Sequence, residues 1–151
     1  MRLNIVLAIV VIVASANSCE SLVETFYRIT VSNNGSDTVY FYENSEGGAF
    51  HYPDTTIQTS QPSALVRPGR KFYGIDSRTE WETIVQNLPA DTLSFFFFDS
   101  ITVKTNSWES IRSNYLVRYR YDLSIQDLQN LGFDVPVPPS TSMQGMKVYA
   151  K

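Results

Sequence analysis

The chain has 151 residues, with 12 Lys and Arg against 15 Asp and Glu, and a net charge of −3 when its one histidine is neutral. No stripe or cluster of Lys and Arg is present, which excludes the electrostatic footprint of a nucleic-acid binder. One cysteine and one histidine exclude a disulfide framework, a zinc site of the Cys/His type and any chemistry that needs two histidines.

The first element is an export signal. Met1-Arg2 supplies a positive charge, the run from Ile5 to Ala14 is uncharged and apolar, and Ser15-Ala16-Asn17-Ser18 is small and polar before Cys19. The apolar run is shorter than the roughly 20 residues a spanning helix needs. Ala16-Asn17-Ser18-Cys19 resembles the bacterial lipobox of Leu, Ala or Ser, Gly or Ala, and Cys; Ser18 and Cys19 fit it, and Asn17 departs from it. The expectation is a lipoprotein signal peptide over 1–18 with lipid attachment, palmitate among its acyl chains, at Cys19. Ala14-Ser15-Ala16 also satisfies the small-x-small rule of ordinary signal peptidase, and that cleavage would start the chain at Asn17. Residues 19–25 then read as a tether and 26–151 as a single β-rich domain.

Nine Tyr and nine Phe, with many Thr, Val and Ser, give the profile of a sheet protein. Phe26–Ser32 and Val39–Glu43 read as strands, and Asn33-Asn34-Gly35-Ser36-Asp37 between them predicts a β-hairpin. Asn44–Pro62 has no sustained period and reads as a long surface loop. Ala64-Leu65-Val66 and Lys71–Gly74 flank Pro68-Gly69, whose order suits a type II turn, and read as a second hairpin. Thr79–Leu88 carries Trp81, Ile84, Val85 and Leu88 at helical spacing, with Thr79 as N-cap. Thr92–Phe98 is a continuous apolar run and predicts a strand covered on both faces. Asn106–Tyr115 reads as a two-turn helix. Leu116–Leu123 alternates, Val117, Tyr119 and Tyr121 against Arg118 and Arg120, as a half-exposed strand does. Ser124 and Asp127 form a capping box for a helix over Ile125–Leu131 that Gly132 ends. Phe133–Val137 and Met146–Tyr149 are closing strands, the first confined to an edge by its prolines. The expected fold is mainly β, an antiparallel β-sandwich with about three short inserted helices; an α+β fold with a mixed sheet is the alternative.

Catalytic, metal and cofactor sites are not legible in the sequence. His51, in Phe50-His51-Tyr52-Pro53-Asp54, reads as loop packing. Gly47-Gly48 lacks the Lys and helix of a phosphate loop. Glu80 and Glu82 are two apart and point to different faces, and Glu43 and Glu46 lack the ligand ladder of a calcium loop. Tyr40, Phe41, Tyr42, Phe50 and Tyr52 cluster in sequence; such rings stack on sugars when exposed and form cores when buried. Asp37-Thr38-Val39, Asp54-Thr55-Thr56, Asp91-Thr92-Leu93 and Asp99-Ser100-Ile101 each read Asp, Ser or Thr, then an apolar residue or Thr. They resemble the O-glycosylation motif of exported Bacteroidota proteins, which would place glycans on Thr38, Thr55, Thr92 and Ser100. Asp-Thr-apolar is also how a turn hands over to a strand, and three of the four stand at expected strand starts.

The signal ending at Cys19, the turn Asn33–Val39, the stretch Asp91–Phe96 and the segments Ser107–Tyr115 and Arg120–Leu128 together resemble a group of small uncharacterised lipoproteins of Bacteroidota. The resemblance implies an exported protein anchored through its lipid in the membrane, at the periplasmic face or cell surface of the outer membrane, and it carries over no catalytic residue. The functional expectation is a non-enzymatic envelope protein that binds a protein or glycan partner or serves a structural role, without cofactor and without nucleic acid. A glycan- or adhesin-type module using the Phe50-His51-Tyr52 loop and a hydrolase using a carboxylate pair are the alternatives.

Overall fold

A computed structural model of the chain describes residues 25–45 and 50–151. The export signal, Cys19, the tether up to residue 24, Glu46 and Gly47-Gly48 lie outside the described residues. The described chain is mainly β, with two sheets and four short helices. The smaller sheet holds β1 (Tyr27–Asn33) between β4 (Lys71–Ser77) and β7 (Asp134–Val137). The larger runs β3 (Ala64–Val66), β2 (Val39–Glu43), β5 (Thr92–Asp99), β6 (Tyr119–Ser124) and β8 (Lys147–Ala150). The helices are α1 (Trp81–Gln86), α2 (Ser100–Thr105), α3 (Trp108–Ser113) and α4 (Ile125–Asn130).

Period-2 alternation builds the core. Ile29, Val31, Ile75 and Val135 of the smaller sheet meet Phe41, Phe95, Phe97 and Tyr121 of the larger in one cluster. The opposite face of the larger sheet carries Tyr42, Phe96 and Phe98, covered by Ile57, Val103, Ile111 and Trp108. Strand β5 is therefore buried on both faces from Thr92 to Phe98, as its unbroken apolar run requires. Tyr42 stacks on Phe96 at 4.9 Å, and Phe98 meets Trp108 edge-on at 5.2 Å.

Several expectations fail for physical reasons. The sheets are not all antiparallel, since β1 pairs parallel with β7, Thr30 opposite Asp134. Neither expected hairpin forms. β1 and β2 lie in different sheets, as do β3 and β4, so both turns are arches that cross between sheets about 10 Å apart. The Pro68-Gly69 turn itself is present, Gly69 at φ 65° and Arg70 N–H donating to Arg67 O at 3.1 Å. Asn33 clamps the two arches together. Its Nδ2 donates to Asp37 O and Val66 O at 2.7 and 3.0 Å, its Oδ1 accepts from Gly35 N–H, and its backbone exchanges bonds with Gly69 and Arg70.

The fourth helix, α2, has no counterpart in the sequence reading, which leaves 100–105 unassigned; its Ile, Thr and Val are weak helix formers, and Val103 packs in the outer cluster. Helix α1 begins after Glu80 without a side-chain cap, so Thr79 is not its N-cap. The Ser124–Asp127 capping box is present in full. The segment 50–62 has no regular structure, yet it is a cover rather than a free surface loop, with Ile57 and Pro62 buried. Val117 belongs to the outer cluster, not to the inward face of Tyr119 and Tyr121.

Candidate functional site

The uncovered part of the larger sheet's outer face lies on β6 and β8, where alternation turns Arg120, Asp122, Lys147 and Tyr149 outward. Arg120 stands directly opposite Tyr149 in the ladder, and Asp122 opposite Lys147. The Asp122 carboxylate is buried, its side chain only 1% exposed; it accepts from Ser94 Oγ at 2.7 Å and from Arg120 Nε and Nη2 at 3.1 and 3.0 Å. Burial opposes the charge on Arg120, but bonds to Tyr115 and Asp122 outweigh it and raise the guanidinium above its ordinary pKa.

The guanidinium is also a seat for an aromatic ring. Its Cζ lies 4.1 Å from the centroid of Tyr149, while the Arg120 side chain is only 12% exposed and Tyr149 is 50% exposed. The cation lies over the ring, and half of the tyrosine remains exposed. Arg120 Nη1 donates to the Tyr115 hydroxyl at 3.1 Å, which places a second exposed tyrosine at the margin. Tyr115 follows α3 in the left-handed region at φ 48°. Leu116 N–H returns to Ile111 O and Tyr115 N–H to Arg112 O, the Schellman closure whose left-handed residue is usually Gly. A bulky residue there is strained, and strained backbone concentrates at functional sites.

The margin nearest β8 is made by the loop. Phe50 O accepts from Asn44 Nδ2 at 2.6 Å, and the Tyr52 hydroxyl accepts from Lys147 Nζ at 3.1 Å. Asn44 N–H in turn donates to Ser94 O, so Asn44, one residue past β2, forms a row with Ser94, Asp122 and Lys147 on β5, β6 and β8. Phe50-His51-Tyr52 is fastened at both ends of that row. His51 is half-buried, and its Nδ1 is buried without a hydrogen-bond partner among the described residues. Lys147 Nζ lies 4.8 Å from the Tyr52 ring, and that phenol raises the lysine above its ordinary pKa.

The aromatics that cluster in the sequence are mostly not site residues. Phe41 and Tyr42 are core, and Tyr40 packs against the outer cluster. The exposed rings at this face are Tyr115 and Tyr149; Phe26 and Tyr73 are exposed as well, on or beside the smaller sheet. The signal for Tyr149 was the alternation Lys147-Val148-Tyr149 in an edge strand; for Tyr115 the sequence carries none, because a helix-ending tyrosine in a glycine position is visible only in the backbone.

Carboxylates meet in two other grooves. In the larger, of about 570 Å³, Asp37 and Asp99 both bind Arg118 Nη1, Asp37 at 3.6 Å. That shared partner holds the two carboxylates within roughly 6–7 Å of each other. A second groove, of about 420 Å³, has Glu43 and Asp76 on its walls with Phe72 and Trp81. Glu43 accepts from Ser45 Oγ, and Arg28 lowers the Asp76 pKa through a hydrogen bond at 2.6 Å. Among the described residues no group of three or more His, Cys, Asp or Glu is placed to hold a metal.

Of the four Asp-Ser/Thr motifs, two open strands, at β2 and β5, not three. Asp99-Ser100 instead starts α2, and Asp54 caps a turn by accepting from Thr56 N–H at 2.8 Å. Thr55 is exposed, Thr38 and Ser100 are partly buried, and Thr92 is 6% exposed with its hydroxyl bonded to Ala90 O.

The chain matches no family model, no curated protein and no solved structure. The outer face must therefore be read on its own chemistry.

Proposed function

We propose that the protein is a non-enzymatic binding module of the cell envelope. In this reading it is exported, anchored in the outer membrane through lipid on Cys19, and folded as a β-sandwich whose two sheets share the inner core. Its ligand is carbohydrate, bound on the outer face of the larger sheet. The observation that carries this reading is the half-exposed Tyr149 ring, its centroid 4.1 Å from the Arg120 guanidinium carbon. A pyranose presents an apolar face to such a ring, while its hydroxyls find hydrogen-bonding groups around the edge. Lys147 and the Tyr115 hydroxyl supply them. The buried Ser94–Asp122–Arg120 network beneath fixes the platform before any ligand arrives, which lowers the ordering cost of binding.

The hydrolase reading has one observation in its favour, the Asp37–Asp99 pair in the larger groove. Glycoside hydrolysis needs a carboxyl held protonated, usually in an apolar setting, to act as acid. Both Asp37 and Asp99 are bound to a guanidinium and open to solvent, 58% and 34% exposed, which suits neither role. The binding reading is tested on a panel of immobilised oligosaccharides. Wild type should bind a subset, and Tyr149→Ala should lose that binding at unchanged melting temperature. Equal binding by both proteins, or turnover of a bound glycan that Asp99→Asn abolishes, would overturn it.

A further inference from the structure

The charges around the platform point to a narrower ligand class. Arg120 is met by the buried Asp122, and Arg112 at the far side of Tyr115 is met by Glu109 at 3.1 Å. Asp54, on the loop that carries Tyr52, turns its carboxylate back onto Thr56 N–H. Lys147 is different. It is exposed, it donates to the neutral Tyr52 hydroxyl, and no carboxylate lies within ion-pairing distance among the described residues. Among the described residues Lys147 is thus an exposed positive charge of this face that no carboxylate ion-pairs, with the buried Asp122 opposite it in the ladder acting only at longer range, in a chain whose net charge is −3.

Lys147 and Tyr149 are two residues apart on one strand, so they share a face at a spacing of about 6.6 Å. A uronate oxygen on a pyranose ring centred over Tyr149 lies roughly 4 Å from the ring centre, and a charge-assisted hydrogen bond of about 2.8 Å covers the remainder. An ammonium at that distance, with N–H groups remaining beyond the one given to Tyr52, suits a carboxylate better than a hydroxyl.

We infer that the face selects acidic sugars, with the uronate carboxylate on Lys147 Nζ and the sugar ring stacked on Tyr149. This rests on the carbohydrate reading of the same face, and the two are separable by experiment. Calorimetric titration of the full chain with short oligogalacturonates and oligoglucuronates, and with the methyl esters of each, reads both. Acidic oligosaccharides should bind about fivefold or more tightly than their esters, the scale of one exposed charge pair. The margin should shrink as salt rises. Lys147→Met, which keeps the stem and removes the charge, should erase the margin, so that the variant binds acid and ester with the same affinity. Tyr149→Ala should remove binding of acid and ester alike. If acid and ester bind equally to wild type, the acidic preference is wrong and the platform stands. If neither acid nor ester binds, or if Tyr149→Ala binds both as wild type does, the inference and the platform fall together.

Discussion

Replacing Tyr115 separates the cost of its backbone from the use of its ring. The residue sits at φ 48°, where a Cβ crowds the following carbonyl and a non-glycine residue costs about 1–2 kcal/mol. Tyr115→Ala and Tyr115→Gly both lose the ring and the bond from Arg120 Nη1, so those losses cancel between them. What differs is the left-handed penalty, partly offset by the greater freedom of an unfolded glycine, about 0.5–1 kcal/mol. The glycine variant should be the more stable by about 1 kcal/mol. With an unfolding entropy near 2.1 cal/mol/K per residue over roughly 125 residues, that difference is about 4 °C in melting temperature. Lys104, in the last turn of α2, provides the control, because there the order should reverse and Ala should win by a similar amount. Thermal melts by circular dichroism on the four variants suffice. An alanine at 115 as stable as the glycine, or more so, would show that the backbone carries no strain there. The argument that strain marks this tyrosine as functional would then fail.

The remaining predictions bear on the core, on alkaline pH and on the anchor. Phe96→Asp and Phe97→Asp point to opposite faces of β5, and each should prevent folding, because an unpaired buried charge costs several kcal/mol against a total of about 5–15; a variant that melts like wild type would show that its face is open. Burial raises the pKa of Tyr42 and Tyr121 well above the ordinary phenol value of about 10. Their stabilising contribution is complete below pH 10 and is lost as pH rises through the folded values, so stability should start to fall near pH 10 by up to about 1.4 kcal/mol per pH unit for each residue. Urea titrations at pH 9–12 measure this, and a flat profile that persists in Tyr121→Phe would contradict it. For the anchor, Cys19→Ala should abolish palmitate labelling and membrane fractionation in the expressing bacterium; a labelled mutant in the membrane pellet would end the lipoprotein reading.

What the sequence made legible follows from how local each signal is. The Ser124–Asp127 capping box, the Pro68-Gly69 turn and the two-sided burial of Phe95–Phe98 depend on neighbours in the chain, and all are present. The two hairpins failed because a turn signal states that the chain reverses and is silent on which sheet receives it. The strands alternate equally well in either arrangement, and only the position of the second sheet decides between them. The site was less legible still. Tyr149 matters through a residue opposite it in the ladder, and Tyr115 through a backbone angle. The cluster Tyr40-Phe41-Tyr42 drew notice by density alone and proved to be interior. Of the loop singled out in advance, Phe50 and Tyr52 touch the site, through Asn44 and Lys147.

The arches clamped by Asn33 bear on how the chain acquires its structure. β2 pairs with β3 and β5 with β6, each the next strand made, but β1 pairs with neither β2 nor β3. β1 waits for β4, and its parallel partner β7 is later still, as the bond between Ser32 and Asp134 spans 102 positions. Asn33 itself, 2% exposed, keeps bare amide groups until residues 66–70 have come out. Closing such long loops costs entropy before contacts repay it, which slows folding. The edge of β1 that receives β7 therefore stays bare for most of the chain's synthesis. A protein built this way depends on being kept from its own kind until its last strand is made.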